Sequence, residues 1–177
     1  MCSVSKFRLF IARWQPALNW LLLLLWMAVI FSASGDTQSS QHSSRLIAPL
    51  LRWLFPQMSA GLLDLIILLV RKGAHLTEYA LLAVLFWRVL RRPEKNGPQP
   101  WSWSHARLAV LFVMLYAGTD ELHQQFVPSR EGCVSDVLID TFGGSLGIFF
   151  LRVADHRHRR RPIVTARAAA AIAPRSG

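Results

Sequence analysis

Residues 16–34 read PALNWLLLLLWMAVIFSAS. A helix rises about 1.5 Å per residue and the hydrocarbon core of a bilayer is about 30 Å thick, so about 20 apolar residues in one run make a membrane span. Trp20 and Trp26 read as anchors toward an interface. The same run follows Lys6, Arg8 and Arg13 and ends in Ser32-Ala33-Ser34-Gly35, the pattern of a cleaved secretory signal, and cleavage would leave one span fewer. The run is long for a signal h-region, so it is read here as a retained span.

Working outward, three further segments qualify, at residues 74–92, 106–125 and 133–153. In each, one half is apolar and the other polar. The expected fold is an all-α integral membrane bundle of about four transmembrane helices. Composition agrees: of 177 residues 53% are hydrophobic and 17% charged, too apolar for an ordinary soluble domain. Residues 1–15 are expected as a cytoplasmic N-terminus, 16–153 as one membrane domain, and 154–177 as a basic, disordered cytoplasmic tail. Residues 35–73 are expected as an external loop. Its Ser-rich start leads into Leu46, Leu50, Leu51, Leu54 and Phe55 at the spacing of an amphipathic surface helix. Residues 62–70 are too short to span alone, and read either as a re-entrant or interfacial piece or as an outward extension of the second span. A turn-rich inner loop, PEKNGPQP, occupies residues 93–100.

The formal net charge of +10 does not imply nucleic acid, because the basic residues flank apolar runs instead of covering a soluble face. Arg157, Arg159, Arg160 and Arg161 suit anionic lipid on the cytoplasmic leaflet. Loops rich in Lys and Arg stay cytoplasmic. With both termini inside, Arg45, Arg52, Arg71, Lys72 and Arg130 are left outside, a minority of the 20 basic residues. Cys2 and Cys133 then lie on opposite sides of the membrane and do not pair within one chain.

In this arrangement His75 and Glu78 open the second span, Asp120, Glu121 and His123 close the third, and Asp136 and Asp140 open the fourth, all toward the outer surface. Ionisable groups in a bilayer are costly and face a bundle interior or a water-filled cavity, which makes them candidates for function. Residues three and four apart share a helix face. Arg71, His75 and Glu78 form one stripe, Tyr116, Asp120 and His123 a second, and Asp136, Asp140, Gly143 and Gly147 a third, and the three are expected to converge on one outward-opening pocket. Gly143-x-x-x-Gly147 lets a neighbouring helix approach closely. The tight turn at residues 127–132 is expected to hold Arg130 over the pocket mouth.

Histidines and carboxylates together can bind a metal or act as acid and base, and Arg71, Lys72 and Arg130 can hold a phosphate or carboxylate. Neither a zinc motif nor a nucleophile signature fixes the chemistry. Plainer readings stand beside these: an interhelical hydrogen bond or salt bridge for His75 and Glu78, an ion pair of Asp120 or Glu121 with Arg130 or Lys72, and an Asp136 stabilised at a helix N-terminus.

These residues carry a resemblance to the VanZ-like family, named after an accessory factor for resistance to the lipoglycopeptide teicoplanin. The matching pieces are Ile30-Phe31-Ser32-Ala33-Ser34, Arg71-Lys72-x-x-His75-x-x-Glu78-Tyr79, Asp120-Glu121-x-His123-Gln124-x-Phe126-Val127-Pro128-x-Arg130 and Asp136-x-x-x-Asp140-x-x-Gly143. They cover about residues 19–151. The resemblance adds Tyr79 and Gln124 to the candidate ligand-binding residues. It implies a multi-pass protein of the bacterial cytoplasmic membrane with an effect on envelope-targeting antibiotics, and no settled activity. The expected function is binding of an envelope lipid or cell-wall precursor headgroup, or of a lipoglycopeptide, at the external pocket. Alternatives are a membrane enzyme acting on a phosphorylated or acylated envelope lipid and a small proton-coupled transporter.

Overall fold

The computed structural model describes the backbone of residues 2–35, 39–91, 100–126 and 134–172, with side chains described within 14–34, 47–91, 100–126 and 134–159. The described residues form five helices and no strand: α1 (Cys2–Gly35), α2 (Ser39–Leu54), α3 (Ala60–Leu90), α4 (Trp103–Gln124) and α5 (Val134–Ile172). By length and composition two stretches can cross a membrane, Trp14–Ser34 of α1 and Val134–Arg159 of α5. Helices α3 and α4 do not meet that measure. In α3 the apolar run is diluted by Asp64, Arg71, Lys72, His75 and Glu78.

Local chemistry fixes where the middle helices begin. Ser59 and Ser102 have extended backbones and accept hydrogen bonds from the backbone N–H groups of Leu62 and His105, covering donors that a helix start leaves open. At its other end α3 closes as the Arg91 N–H donates to the Trp87 carbonyl at 3.0 Å.

Within the external loop expected over 35–73, residues 39–54 form α2, which carries Leu46, Leu50, Leu51 and Leu54 of the expected amphipathic helix, and residues 60–73 belong to α3. Residues 62–70 run without a break into 74–90, so they belong to the same helix as the segment read as the second span. Nothing between Val70 and Ala74 stops a helix, since Gly73 is tolerated inside one at modest cost. At its 31 residues α3 is about 46 Å long, more than a bilayer core requires. The far end of the chain also differs from expectation, as α5 continues through Pro162 to Ile172. Asp155 accepts from Arg159 one turn on, at 2.9 Å, and the segment closes on alanines, the strongest helix formers. The loop at 93–99, the turn at 127–132 with Arg130, and Cys133 lie outside the described residues, as do the side chains of Cys2, Arg160 and Arg161.

Helix α3 is the hub, packing against α1, α2, α4 and α5. The glycines of α5 set its closest contact. A Cβ at Gly143 would lie 2.7 Å from the Leu76 carbonyl oxygen, one at Gly147 would strike the backbone of Ala80, and one at Gly144 would sit 2.8 Å from Val113 of α4. Helix α3 therefore meets α5 almost backbone to backbone, and α4 seats the Val113 side chain against Gly144. Around this seam the core holds Leu23, Ile30, Tyr79, Leu82, Ala83, Ala106, Ala109, Val113, Ala117 and Ile148. Large apolar side chains of all four long helices face outward, among them Leu24, Leu25, Leu65, Leu69, Leu111, Leu115, Phe142 and Phe150.

Candidate functional site

Four helices meet where α1 ends, α4 ends and α5 begins. At their centre is Asp120 of α4, 3% exposed. Its Oδ2 accepts from the Ser34 hydroxyl of α1 at 2.6 Å, the Tyr79 hydroxyl of α3 at 3.2 Å and Gln124 Nε2 at 3.1 Å. One carboxylate oxygen thus ties three helices together. Its second oxygen, Oδ1, is buried and accepts no hydrogen bond from the described residues.

The α3–α5 seam carries two more polar contacts. His75 Nδ1 approaches Oδ1 of Asp140 at 3.7 Å, and that aspartate is 2% exposed. One turn toward both helix starts, three residues back on α3 and four on α5, Lys72 pairs with Asp136, both side chains about one third exposed. These pairs are one helical turn apart on each helix, in the register that parallel α3 and α5 give: 72 faces 136, 75 faces 140, 76 faces 143 and 80 faces 147. The close approach at Gly143 and Gly147 is what brings Asp136 and Asp140 within reach of α3. Glu121, beside Asp120, is also buried.

Of the sequence-predicted residues, His75, Tyr79, Asp120, Glu121, Gln124, Asp136 and Asp140 are buried or half-buried at this end of the bundle, with Lys72 beside them. Lys72 pairs with Asp136, and the carboxylate of Asp120 takes neutral hydroxyl and amide donors. His75 faces Asp140 across the α3–α5 seam, an interhelical contact of the plainer kind expected for it. The Glu78 carbonyl accepts from Trp26 Nε1 at 3.0 Å, which fastens α1 to α3. His123 stacks on Phe31 with ring centroids 4.4 Å apart, and the Tyr116 hydroxyl donates to the Met27 carbonyl at 2.6 Å. Both clamp α1 onto α4. Arg71 is half-buried on α3.

Sequence reasoning left out Ser34, whose position among small residues resembled a cleavage site. The signal was present: a hydroxyl closing the first span sits at the depth expected for the carboxylates of the other spans. Among the described residues no three His, Cys, Asp or Glu side chains are grouped closely enough to hold a metal ion. The clefts lined by Trp20 and Phe86, by Phe55 and Met58, and by Trp103 and Phe149 do not include the cluster, whose carboxylates are packed into the helix junction.

What this arrangement can do follows from its groups. Carboxylates and a histidine at a desolvated junction accept hydrogen bonds from hydroxyl and ammonium groups and exchange protons, while Lys72 and Arg71 beside them attract anions. No curated protein and no solved structure matches the chain. A family match does: residues 19–155, from the first span to Asp155 on α5, match VanZ/LLP1. The stretch includes every candidate residue described above, and the chain belongs to the VanZ/LLP1 family.

Proposed function

We propose that this VanZ/LLP1 member is a four-span protein of the bacterial cytoplasmic membrane whose outward-facing polar cluster binds the headgroup of an envelope lipid or cell-wall precursor. The carrying observation is the convergence on Asp120 of Ser34, Tyr79 and Gln124 from three helices, next to the His75–Asp140 contact, in a bundle whose outer faces are apolar. A membrane protein keeps such groups in its interior at a cost, and function is the usual reason. The open Oδ1 of Asp120 favours a ligand bringing hydroxyl or amine donors, as sugar, glycerol and peptide headgroups do. Lys72 and Arg71 at the rim favour one that also carries phosphate.

The four-span reading is supported by α3 and α4, which turn Leu65, Leu68, Leu69 and Leu81, and Leu108, Leu111, Met114 and Leu115, away from the core. Contiguous exposed apolar area on this scale is rare in a soluble monomer. The surplus of basic residues beyond Leu90 and Arg152 favours the opposite end as cytoplasmic. Sequestering a headgroup at the outer face would alter the access of lipophilic glycopeptides of the teicoplanin type.

The His75–Asp140 approach favours a second reading, in which the pair moves a proton during cleavage or transfer of a lipid headgroup. Purified protein incubated with envelope lipids separates the two by mass spectrometry: turnover supports the enzyme, and stoichiometric retention the binder. The test of the site itself is an envelope phenotype, such as glycopeptide susceptibility, in cells expressing His75→Ala, Asp120→Asn or Asp140→Asn. Each should lose the phenotype while the protein still inserts, and full phenotype in all three overturns the reading.

A further inference from the structure

The end of the bundle opposite the polar cluster carries a second constellation, built from two matching stripes. Trp103, Ala106, Arg107 and Val110 of α4 and Ser145, Ile148, Phe149 and Arg152 of α5 line one cleft. Each set has the i, i+3, i+4, i+7 spacing of a single helix face. The helices run antiparallel, because Val113 meets Gly144 while Trp101, just before α4, lies under Arg152. Trp103 and Arg152 therefore stand at the mouth, Arg107 one turn in, and Val110 and Ser145 at the floor, roughly 10 Å deeper.

The polar groups of the mouth are basic. The Arg152 guanidinium sits 5.3 Å over the Trp101 ring and donates to Asp155 at 3.4 Å, which fixes its position. Asp155 also holds Arg159, so its charge is already offset, and Arg107 is exposed on α4. Beneath these cations the walls are Ala106, Val110, Ile148 and Phe149.

We propose that this cleft seats an anionic phospholipid of the inner leaflet, its phosphate on Arg107 and Arg152 and one acyl chain along Val110, Ile148 and Phe149. The inference rests on α4 and α5 spanning the membrane and is independent of the headgroup cluster. Charge complementarity selects an anionic headgroup, and the apolar floor selects a lipid over a soluble phosphate, which gains nothing from Phe149 or Ile148. The tryptophan at the mouth lies where an aromatic side chain sits at headgroup level.

The test uses the full chain, purified in detergent, delipidated and incubated with phosphatidylglycerol or phosphatidylcholine of identical acyl chains, with bound lipid counted by native mass spectrometry. Retention of phosphatidylglycerol should exceed that of phosphatidylcholine by about tenfold, the order expected for two guanidinium groups facing an anionic lipid. In Arg107→Ala with Arg152→Ala the two lipids should be retained equally. Because Arg152 packs on Trp101, the exposed Arg107→Ala alone serves as a second variant and should lose most of the preference. Ser145→Phe, which fills the floor with both arginines intact, should lower retention of both lipids. Equal retention of the two lipids by the unaltered chain, an unchanged preference in Arg107→Ala, or displacement by soluble glycerol phosphate overturns the proposal. So does loss of the preference on replacing Arg157, Arg159, Arg160 and Arg161 instead, which would assign it to the tail. Asp120→Asn should leave the preference intact, so this site and the polar cluster fail or hold separately.

Discussion

Asp120 is where single substitutions say most. Removing one donor, by Ser34→Ala or Tyr79→Phe, costs one hydrogen bond to a carboxylate, about 1–3 kcal/mol. Asp120→Ala does more, because it strands the Ser34 and Tyr79 hydroxyls and the Gln124 amide in a buried junction at once. Thermal unfolding in detergent should therefore rank Asp120→Ala below either single donor variant. Equal melting temperatures for all three and the unaltered protein would mean that these hydrogen bonds do not hold the helices together. Lys72→Ala with Asp136→Ala should change stability by about 1 kcal/mol or less, since the pair is one third exposed. At this scale the sequence was partly legible. Charged residues in apolar helices announce themselves, which marked Asp120, Asp140 and His75. Helical spacing placed their neighbours less well. A step of four residues turns a helix by about 400° and one of three by about 300°, so Gln124 keeps the Asp120 face more closely than His123 does. Accordingly Gln124 joins the carboxylate and His123 turns to Phe31.

At the scale of the helices, the glycines of α5 decide whether the cluster can assemble. Gly147→Leu forces a side chain into the Ala80 backbone, and overpacking of this kind costs about 1–3 kcal/mol or more. It should lower the melting temperature and abolish the same phenotype as Asp140→Asn, although residue 147 touches no ligand group. Gly118 of α4 has nothing within 4 Å of an added Cβ, so Gly118→Ala should be neutral or mildly stabilising. A neutral Gly147→Leu would show that α3 and α5 are not held backbone to backbone. The Gly143-x-x-x-Gly147 spacing is legible in the sequence as a packing face. The unbroken α3 is not, because residues 62–70 are too short to span and their polar continuation weakens the apolar signal. What decides the matter is the absence of a helix breaker across 70–74, together with the packing of Leu63 and Ile67 in the interior.

Among the described residues of the whole molecule, an apolar core and a buried polar cluster share the interior while many leucines and phenylalanines also cover the outside. Polar groups such as His75, Glu78, Asp120 and Glu121, together with the exposed Asp64 and Arg107, lower the hydropathy of α3 and α4 although their outer faces carry many leucines. Hydropathy along the sequence cannot separate the two faces of a helix, and so it understates these two. The proposed topology puts the carboxylate cluster at the external surface and the arginine-rich end in the cytoplasm. The most direct measurement is thiol accessibility in intact cells, with both native cysteines replaced by serine. Val134 is 78% exposed at the start of α5 and Ser104 is exposed at the start of α4. Single-cysteine Val134→Cys should be labelled by a membrane-impermeant maleimide from outside, and Ser104→Cys only after permeabilisation. Labelling of Ser104→Cys in intact cells, with Val134→Cys protected until they are opened, would overturn that topology.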